Sequence, residues 1–490
     1  MAGIGFELNK LFKEKSFSAK VRALGYSGIV VAGPLVLGIA FVFMVTFMAG
    51  KYGLSLTDRM LLSAMITYAI MASLFLTGTI SLPVTRYVSD CLYKEEDENV
   101  IPSLYGSLAV ILPPGAVLYL IFLLQSKFSF TVTLLNLMLF LLLCCIWLQT
   151  GYLSAVKDYR GIMLSYVIAI GAAFLTLLLL HLFFGAAYWI FLMSCVVGYG
   201  CQVLFAFSLI YDFFDSDEKG AFAFLPYLKK YFSLSLIGTL SNIGAFSHIL
   251  LAWRSRISVH VGGAFYTSPY YDVPAFYAYL ATLVTTIFFV TRAETAFFEK
   301  YSAYFGALNS AAPYYFVKEK REQMLTVMWA DILQAAVLQV LTTAGMLSIG
   351  VILFERAGFG ILVQIRSYFI SLTLGYSMYA TANMLTLFSM YFADYKSVLI
   401  DDSIFAGGVI VSTALIMTYG PLRLFGLGFC LGAFFYLLVS YINLRVYTAN
   451  LEYEVLAKKP FVVSEKKKRL PALKKPEVTA HVLSRLRSHS

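Results

Sequence analysis

Charge is missing where this chain is most apolar. Twelve long hydrophobic runs can be drawn along it, and within those runs there is no Asp, Glu, Lys or Arg. Ion-driven antiporters ordinarily bind a proton or sodium at an intramembrane carboxylate, so a charge-free interior weakens that class. A carrier of lipid-pyrophosphate sugars calls for Arg or Lys around its phosphates, and those are absent from the runs too. Cysteine is scarce: the six thiols fall mostly inside apolar runs, where a thiol is a small hydrophobe, and none has metal-ligand spacing. Of five histidines only His181 and His248 lie in apolar runs. No phosphate-cradling glycine loop, Walker sequence or nucleophile elbow is present, which excludes an ATPase within the chain. Paired carboxylates or HxxxD-like spacing at the run edges are lacking as well, against a membrane-embedded glycosyltransferase or acyltransferase. No cofactor motif is found, and the reading is of a protein that is not an enzyme.

What is there is apolar surface. Of 490 residues 60% are hydrophobic, 16% aromatic and 13% charged, and the mean hydropathy is +0.78, beyond what a soluble fold can bury. About 20 apolar residues cross a bilayer as a helix. That rule predicts spans at 24–49, 60–83, 101–124, 132–155, 162–184, 187–211, 231–253, 274–291, 332–354, 367–392, 403–419 and 424–444. Barrel strands would alternate apolar and polar residues, whereas these runs are apolar on every face. The predicted class is therefore an all-α polytopic membrane protein of about twelve helices. The first run follows a 23-residue basic segment, is too long for a signal-peptide core and lacks a small-residue cleavage site, so it is read as a retained span.

Lys and Arg mark the side that is not translocated. With the N-terminus inside, the outer loops hold seven, Lys51, Arg59, Lys127, Arg254, Arg256, Arg356 and Arg423, while most of the remainder fall on the cytoplasmic side. Both termini are then cytoplasmic. The net charge of +10 follows topology rather than nucleic-acid binding. The organisation read from this is a basic amphipathic segment at 1–23, a first six-helix lobe at 24–211 and a polar linker at 212–230. A second six-helix lobe follows at 231–446, then a basic, Pro-containing tail at 447–490 suited to the lipid surface or an acidic partner. Two such lobes around a central cavity are a common transporter plan; the residues show no repeat between the halves.

Neutral hydrogen-bonding groups and aromatics occupy the runs. Tyr376, Tyr379, Asn383, Asn242, Gln334 and Gln339 are candidate path residues, since a neutral sugar offers hydroxyls and amides to such groups and a C–H face to rings. The same residues also suit interfacial belts and lipid-facing positions. At the cytoplasmic ends, Arg292, Glu294, Arg86 and Asp90 are candidates for a gate or for partner docking. Arg292 and Glu294 are two apart, so they cannot form an i,i+4 pair, and each is expected to reach another helix or a partner. At the outer ends, Arg254, Arg256, Tyr270, Tyr271 and Asp272 are candidates for an exit vestibule, or are plain interfacial anchors.

Several stretches together resemble one family. They are Met1-Ala-Gly-Ile-Gly-Phe-Glu-Leu8, Gly25-Tyr26, Gly33-Pro34, Thr85-Arg-Tyr-Val-Ser-Asp90, Leu153-Ser-Ala-Val-Lys-Asp-Tyr-Arg160, Tyr271-Asp-Val-Pro-Ala-Phe276 and Thr291-Arg-Ala-Glu-Thr-Ala-Phe-Phe-Glu-Lys-Tyr301. The chain is similar to the PelG family, inner-membrane transporters of Pel exopolysaccharide within the polysaccharide-transporter, MOP-like superfamily that also holds lipid-linked oligosaccharide flippases. Family members carry an acidic-basic pair before a Trp in span seven; here Phe246-Ser247-His248 precede Trp253. The resemblance implies a multi-pass protein of the bacterial inner membrane that exports a biofilm polymer rich in N-acetylated galactosamine and glucosamine. It implies as partners a cytoplasmic PelF-like glycosyltransferase and PelD- and PelE-like membrane proteins, with cyclic di-GMP acting through PelD. The alternatives are a lipid-linked oligosaccharide flippase, an ion-coupled small-molecule exporter, or a scaffold for a synthase with no path through it. A buried carboxylate would favour ion coupling.

Overall fold

The protein is described here from a computed structural model, which covers Gly33 and residues 36–156, 158–214, 220–310, 312–356 and 363–457. The basic segment 1–23, nearly all of 24–35, the side chain of Glu294 and the tail from 458 onward lie outside the described residues. The chain divides into two units, Met1–Leu444 and Arg445–Ser490. In the second, the described residues are the last turn of a helix ending at Ala449 and a π turn at Tyr453–Ala457.

The helices of the first unit are α1 (Val36–Lys51), α2 (Leu56–Lys94), α3 (Val100–Leu124), α4 (Phe130–Val156), α5 (Tyr159–Phe184), α6 (Tyr188–Phe213), the short α7 (Leu225–Lys230) and α8 (Phe232–Ala252). A hairpin of β1 (Val259–Gly262) and β2 (Phe265–Thr267) follows. Then come α9 (Pro269–Tyr279), α10 (Thr282–Arg292), a π turn at Ala293–Phe297, α11 (Phe298–Asn309), α12 (Tyr314–Arg356), α13 (Val363–Tyr391), α14 (Tyr395–Tyr419) and α15 (Leu427–Ala449). Local chemistry sets several ends. Ser55 caps α2 by accepting the Asp58 N–H at 3.1 Å, Asp158 caps α5 through the Gly161 N–H at 2.9 Å, and Asp394 caps α14 through Ser397; each satisfies a donor that a helix start leaves open.

Ten helical segments among the described residues are long and apolar enough to cross a membrane, and each coincides with a span predicted from the sequence. The other two predicted spans correspond to α1, whose predicted start is outside the described residues, and to α13, whose Ser, Thr, Tyr and Asn content keeps it out of the ten.

Three features differ from the sequence reading. The span predicted at 274–291 is two helices, α9 and α10, parted at Leu280-Ala281. The loop 255–273 contains a β-hairpin, a small departure from an all-α fold. The third matters most: α14 starts at Tyr395, not at 403, so Asp401 and Asp402 stand two turns into a helix that is long and apolar enough to cross a membrane. The acidic pair depresses local hydropathy and hides the first two turns from a window method. In the fold both side chains are buried against the protein, Asp401 fully and Asp402 at 2% exposure. The expected charge-free interior is therefore corrected at this pair, and Asp331, one residue ahead of the span predicted at 332–354, is likewise fully buried, on α12.

The buried clusters follow the chain. Two are built on α1–α6 and the segment just after, with Val261 and Phe265 of the hairpin added to one of them, and a third on α8, α9, α13, α14 and α15. Helices α2 and α8 join the earlier and later parts. An added Cβ at Gly78 would lie 2.8 Å from the Gly238 carbonyl oxygen, and one at Gly238 would lie 2.4 Å from that of Gly78. Only glycine permits that approach, the usual device where apolar solvent gives helices no hydrophobic reason to associate. One turn along, Asn242 Nδ2 donates to the Leu74 carbonyl at 2.9 Å.

Candidate functional site

Four polar groupings lie in the second half of the chain. His248 on α8 is fully buried, with Nδ1 2.8 Å from the Tyr271 hydroxyl and Nε2 3.0 Å from that of Tyr376. A neutral imidazole has one donor and one acceptor nitrogen, so one tyrosine accepts from it and the other donates to it. The ring packs 4.4 Å from Phe429. Helices α8, α9 and α13 are thereby held by one residue.

At the start of α9, the Trp253 indole N–H donates to both Asp272 oxygens at 3.0 Å, and the Ser268 N–H donates to Asp272 Oδ2 at 2.9 Å. The carboxylate thus serves a helix start, where amide donors and the dipole favour negative charge.

On α14, Asp401 Oδ1 accepts from Asn443 Nδ2 at 2.7 Å, and Asp402 pairs with the Tyr436 hydroxyl, which is 3.1 Å from Thr386 Oγ1. Asp401 Oδ2 and Asp402 Oδ1 are buried with no hydrogen-bond partner among the described residues. Two neighbouring carboxylates so placed are costly while both are charged, each buried ion losing several kcal/mol of hydration. Rings ladder beside the pair: Tyr436 stacks on Phe405 at 4.5 Å, and Phe405 on Tyr379 at 5.2 Å.

Arg292, at the end of α10, reaches Asp331 Oδ1 on α12 through Nη2 at 2.7 Å and Nε at 2.8 Å. Asp331 Oδ2 is buried without a partner among the described residues.

The six path candidates are spread over these groupings rather than gathered in one. Tyr376 is bonded to His248, Tyr379 is half-buried in the ring ladder, and Asn242 faces α2. Gln339 accepts from Thr285 and lies 3.4 Å from Thr343; Gln334 is exposed, and Asn383 is half-buried. A groove of about 480 Å³ runs between α12, α13 and α15, lined by apolar side chains such as Trp329, Leu333, Leu385 and Phe434, and none of the six lines it.

Of the gate candidates, Arg86 bonds Asp90 one turn on at 3.1 Å, and Asp90 accepts from the Tyr227 hydroxyl at 3.1 Å. Burial and the adjacent Asp90 carboxylate push the Tyr227 phenol up to about 12, so this donor keeps its proton at physiological pH. Arg86 also lies 5.9 Å over the Tyr231 ring. Of the vestibule candidates, Tyr270 is exposed, whereas Tyr271 is fully buried on His248. Arg254 covers Tyr266 at 4.5 Å, and Arg256 ties to the Gly420 carbonyl at 2.7 Å.

The sequence reading did not single out Asp401, Asp402, Tyr436 or Asn443. The signal was present as two consecutive acids directly ahead of an apolar run. Also unremarked was a ladder on α2: Ser73, Thr77, Ser81, Thr85 and Ser89 recur every four residues, each hydroxyl donating to a carbonyl three or four residues back. Their exposure rises from buried at Ser73 to exposed at Ser89. No charged residue occurs on α2 between Arg59 and Arg86.

Comparison with known proteins bears on the whole chain. The family model of the PelG exopolysaccharide exporter (EPS-E) matches residues 1–456. No curated protein matches. Among solved structures, the inward-facing conformation of a multidrug resistance MATE family transporter of the MOP superfamily superposes with a TM-score of 0.57 at 14% identity, covering 87% of this chain and 99% of that one. Its outward-facing counterpart gives 0.56 at 13% identity over 87% and 96%. A MOP superfamily transporter from Pyrococcus furiosus, whose reversed binding-pocket polarity was taken to indicate a different function, gives 0.56 at 14% identity over the same shares. These likenesses show the fold, that of a multi-pass membrane transporter.

Proposed function

The chain belongs to the PelG exopolysaccharide exporter family, and from that premise we propose that it carries an uncharged, N-acetylated amino-sugar polymer out through the bacterial inner membrane as a cytoplasmic glycosyltransferase extends it. The observation that carries this reading is the α2 ladder. From Ser73 to Thr85 it is a charge-free hydroxyl stripe winding round a helix that touches both halves, and it becomes exposed toward Ser89, beside Arg86 and Asp90. Thr77, Ser81, Thr85 and Ser89 spend their protons on the backbone and keep oxygen lone pairs for the N–H and O–H donors of a sugar, whereas buried Ser73 already accepts from the Trp147 indole at 2.9 Å. An acetylated chain carries no charge for Lys or Arg to hold, and α2 offers none between Arg59 and Arg86.

The proposed organisation is twelve spans in two six-helix lobes, 24–211 and 231–446, with both termini cytoplasmic; the sided Lys and Arg support it. In this orientation Arg86, Asp90, Arg292 and Glu294 lie on the cytoplasmic side, as gate or docking groups. Arg254, Arg256, Tyr270 and Asp272 lie outside, and Asn242, Gln334, Gln339, Tyr376, Tyr379 and Asn383 contribute hydrogen bonds and rings between. The partners are a PelF-like synthase and PelD- and PelE-like membrane proteins, with cyclic di-GMP acting through PelD.

The test is deletion of the chain: surface polymer is lost, while extracts supplied with the other subunits still consume nucleotide sugar. Normal secretion in the deletion strain overturns the reading. Replacing Thr77 and Thr85 by Val and Ser81 by Ala, which removes the oxygens without adding bulk, reduces secretion at unchanged protein level; full secretion removes the track from the path.

A second reading, ion-linked export, is favoured by one observation, the buried Asp401–Asp402 pair with its unpartnered oxygens. In that reading a proton on the pair couples to movement. Export that persists after the proton gradient is collapsed, with synthesis continuing, rules it out and leaves polymer extension itself as the driving force.

A further inference from the structure

Of the described residues after α8, only Val261 and Phe265 belong to the buried clusters of the first half. Both are on the β1–β2 hairpin. Phe265 is fully buried, with the rings of Tyr68, Phe122 and Phe128 at 4.9, 5.2 and 5.9 Å. The Ala264 N–H donates to Ser126 Oγ at 2.9 Å. Beside it Gly263 has φ +55°, and a Cβ there would lie 2.4 Å from that of Ser126, so the turn accepts only glycine. The Tyr68 hydroxyl donates to the Tyr266 carbonyl at 3.1 Å and accepts the Tyr266 N–H at 3.3 Å. A single side chain thus does for β2 what a neighbouring strand would do.

The root of the hairpin is fastened to the other half. Ser268 Oγ donates to the Ala252 carbonyl at 2.9 Å, and Asp272 ties Ser268 to Trp253. The Trp253 ring then lies flat on Tyr68 at 4.4 Å. Root in one half and tip in the core of the other is the arrangement of a strap. Its ties across the halves are neutral hydrogen bonds and ring packing.

We propose that the 259–267 hairpin is a strap that holds the two halves shut at this end, and that the path opens here only when Phe265 leaves its pocket in the first half. Calling this end the outside rests on the orientation proposed above; the strap itself does not.

The test measures distance, independently of cargo. Spin labels are placed on exposed Lys51 and Arg423, one in each half, in a background without native cysteines and in lipid nanodiscs. The parent is expected to give one short distance distribution, and Phe265→Ala to add a longer population. A Ser126→Cys/Ala264→Cys disulfide should keep only the short one, with reductant reversing any loss of polymer export. If well-folded Phe265→Ala shows the parent distribution, or the longer population persists with the disulfide formed, the strap is overturned. Should Phe265→Ala fail to fold, Tyr68→Phe, which removes one hydroxyl, decides by the same criterion. If polymer is not the cargo, the parent chain itself fails the export assay while the distances still decide the strap.

Discussion

The two halves of the chain bury different chemistry. Between α1 and α6 the buried polar side chains are hydroxyls and amides, among them Ser103, Asn136, Gln149, Ser194 and Gln202. From α8 onward the buried set includes His248, Asp331, Asp401 and Asp402. A hydroxyl or amide carries no charge whatever its partners: Asn136 accepts from Tyr119 at 2.7 Å, and Gln149 donates to the Val203 carbonyl at 3.1 Å while its Oε1 is buried without a partner among the described residues. A buried carboxyl with an unpartnered oxygen, as at Asp401 and Asp402, is costly while charged unless a proton or a cation joins it. The first half therefore has the makings of a fixed frame with a neutral track, and the second holds the groups whose state can change.

That contrast is exposed to four substitutions, taken from the largest expected loss of stability to the smallest. Phe140, 2% exposed and stacked on Tyr119 at 4.3 Å, belongs to the frame; Phe140→Ala should cost about 3–5 kcal/mol through the cavity it leaves, read as a lowered thermal midpoint. His248→Leu strands the Tyr271 and Tyr376 hydroxyls and should cost about 1–3 kcal/mol. An unchanged midpoint there would mean that the tyrosines find other partners and that the network does not hold α8, α9 and α13 together.

Arg292→Ala breaks a pair whose Arg side is 39% exposed and whose Asp side is buried. Water screens the partly exposed cation, so the loss should stay at about 1 kcal/mol. Export should fall without a change in membrane insertion; unchanged secretion would return Arg292 to the role of an interfacial anchor. Asp402→Asn keeps shape and polarity and removes a charge that is costly to bury, so stability should be unchanged or slightly raised. In the ion-linked reading, export by this variant is lost or no longer responds to the proton gradient. A drop in midpoint as deep as that of Phe140→Ala would make the acidic pair structural and erase the contrast between the halves.

Much of the fold was legible because hydrophobicity is local. All ten candidate spans fall on segments predicted from apolar runs, and the Arg292 spacing argument, which denied it a partner two residues away, is met by Asp331 on another helix. The start of α14 was not legible, because a hydropathy window averages Asp401 and Asp402 with their neighbours and cannot know that Asn443 and Tyr436 shield them. The hairpin left a faint trace in Gly262-Gly263 between short alternating stretches, a turn signal of the usual kind. Nothing local announces that its Phe265 belongs with Phe122 and Phe128. The candidate site was legible as residue types, and the partners of Tyr271 and Tyr376 were not.

By itself the sequence determined the helical class, most of the spans, the family and the absence of charge on α2 between Arg59 and Arg86, since each depends on residues close together in the chain. Only the tertiary structure decided that two acids are buried side by side, that one histidine joins three helices and that a hairpin from one half closes on the other. Those facts depend on which distant side chains meet, and burial from water is a property of the packed molecule rather than of any segment.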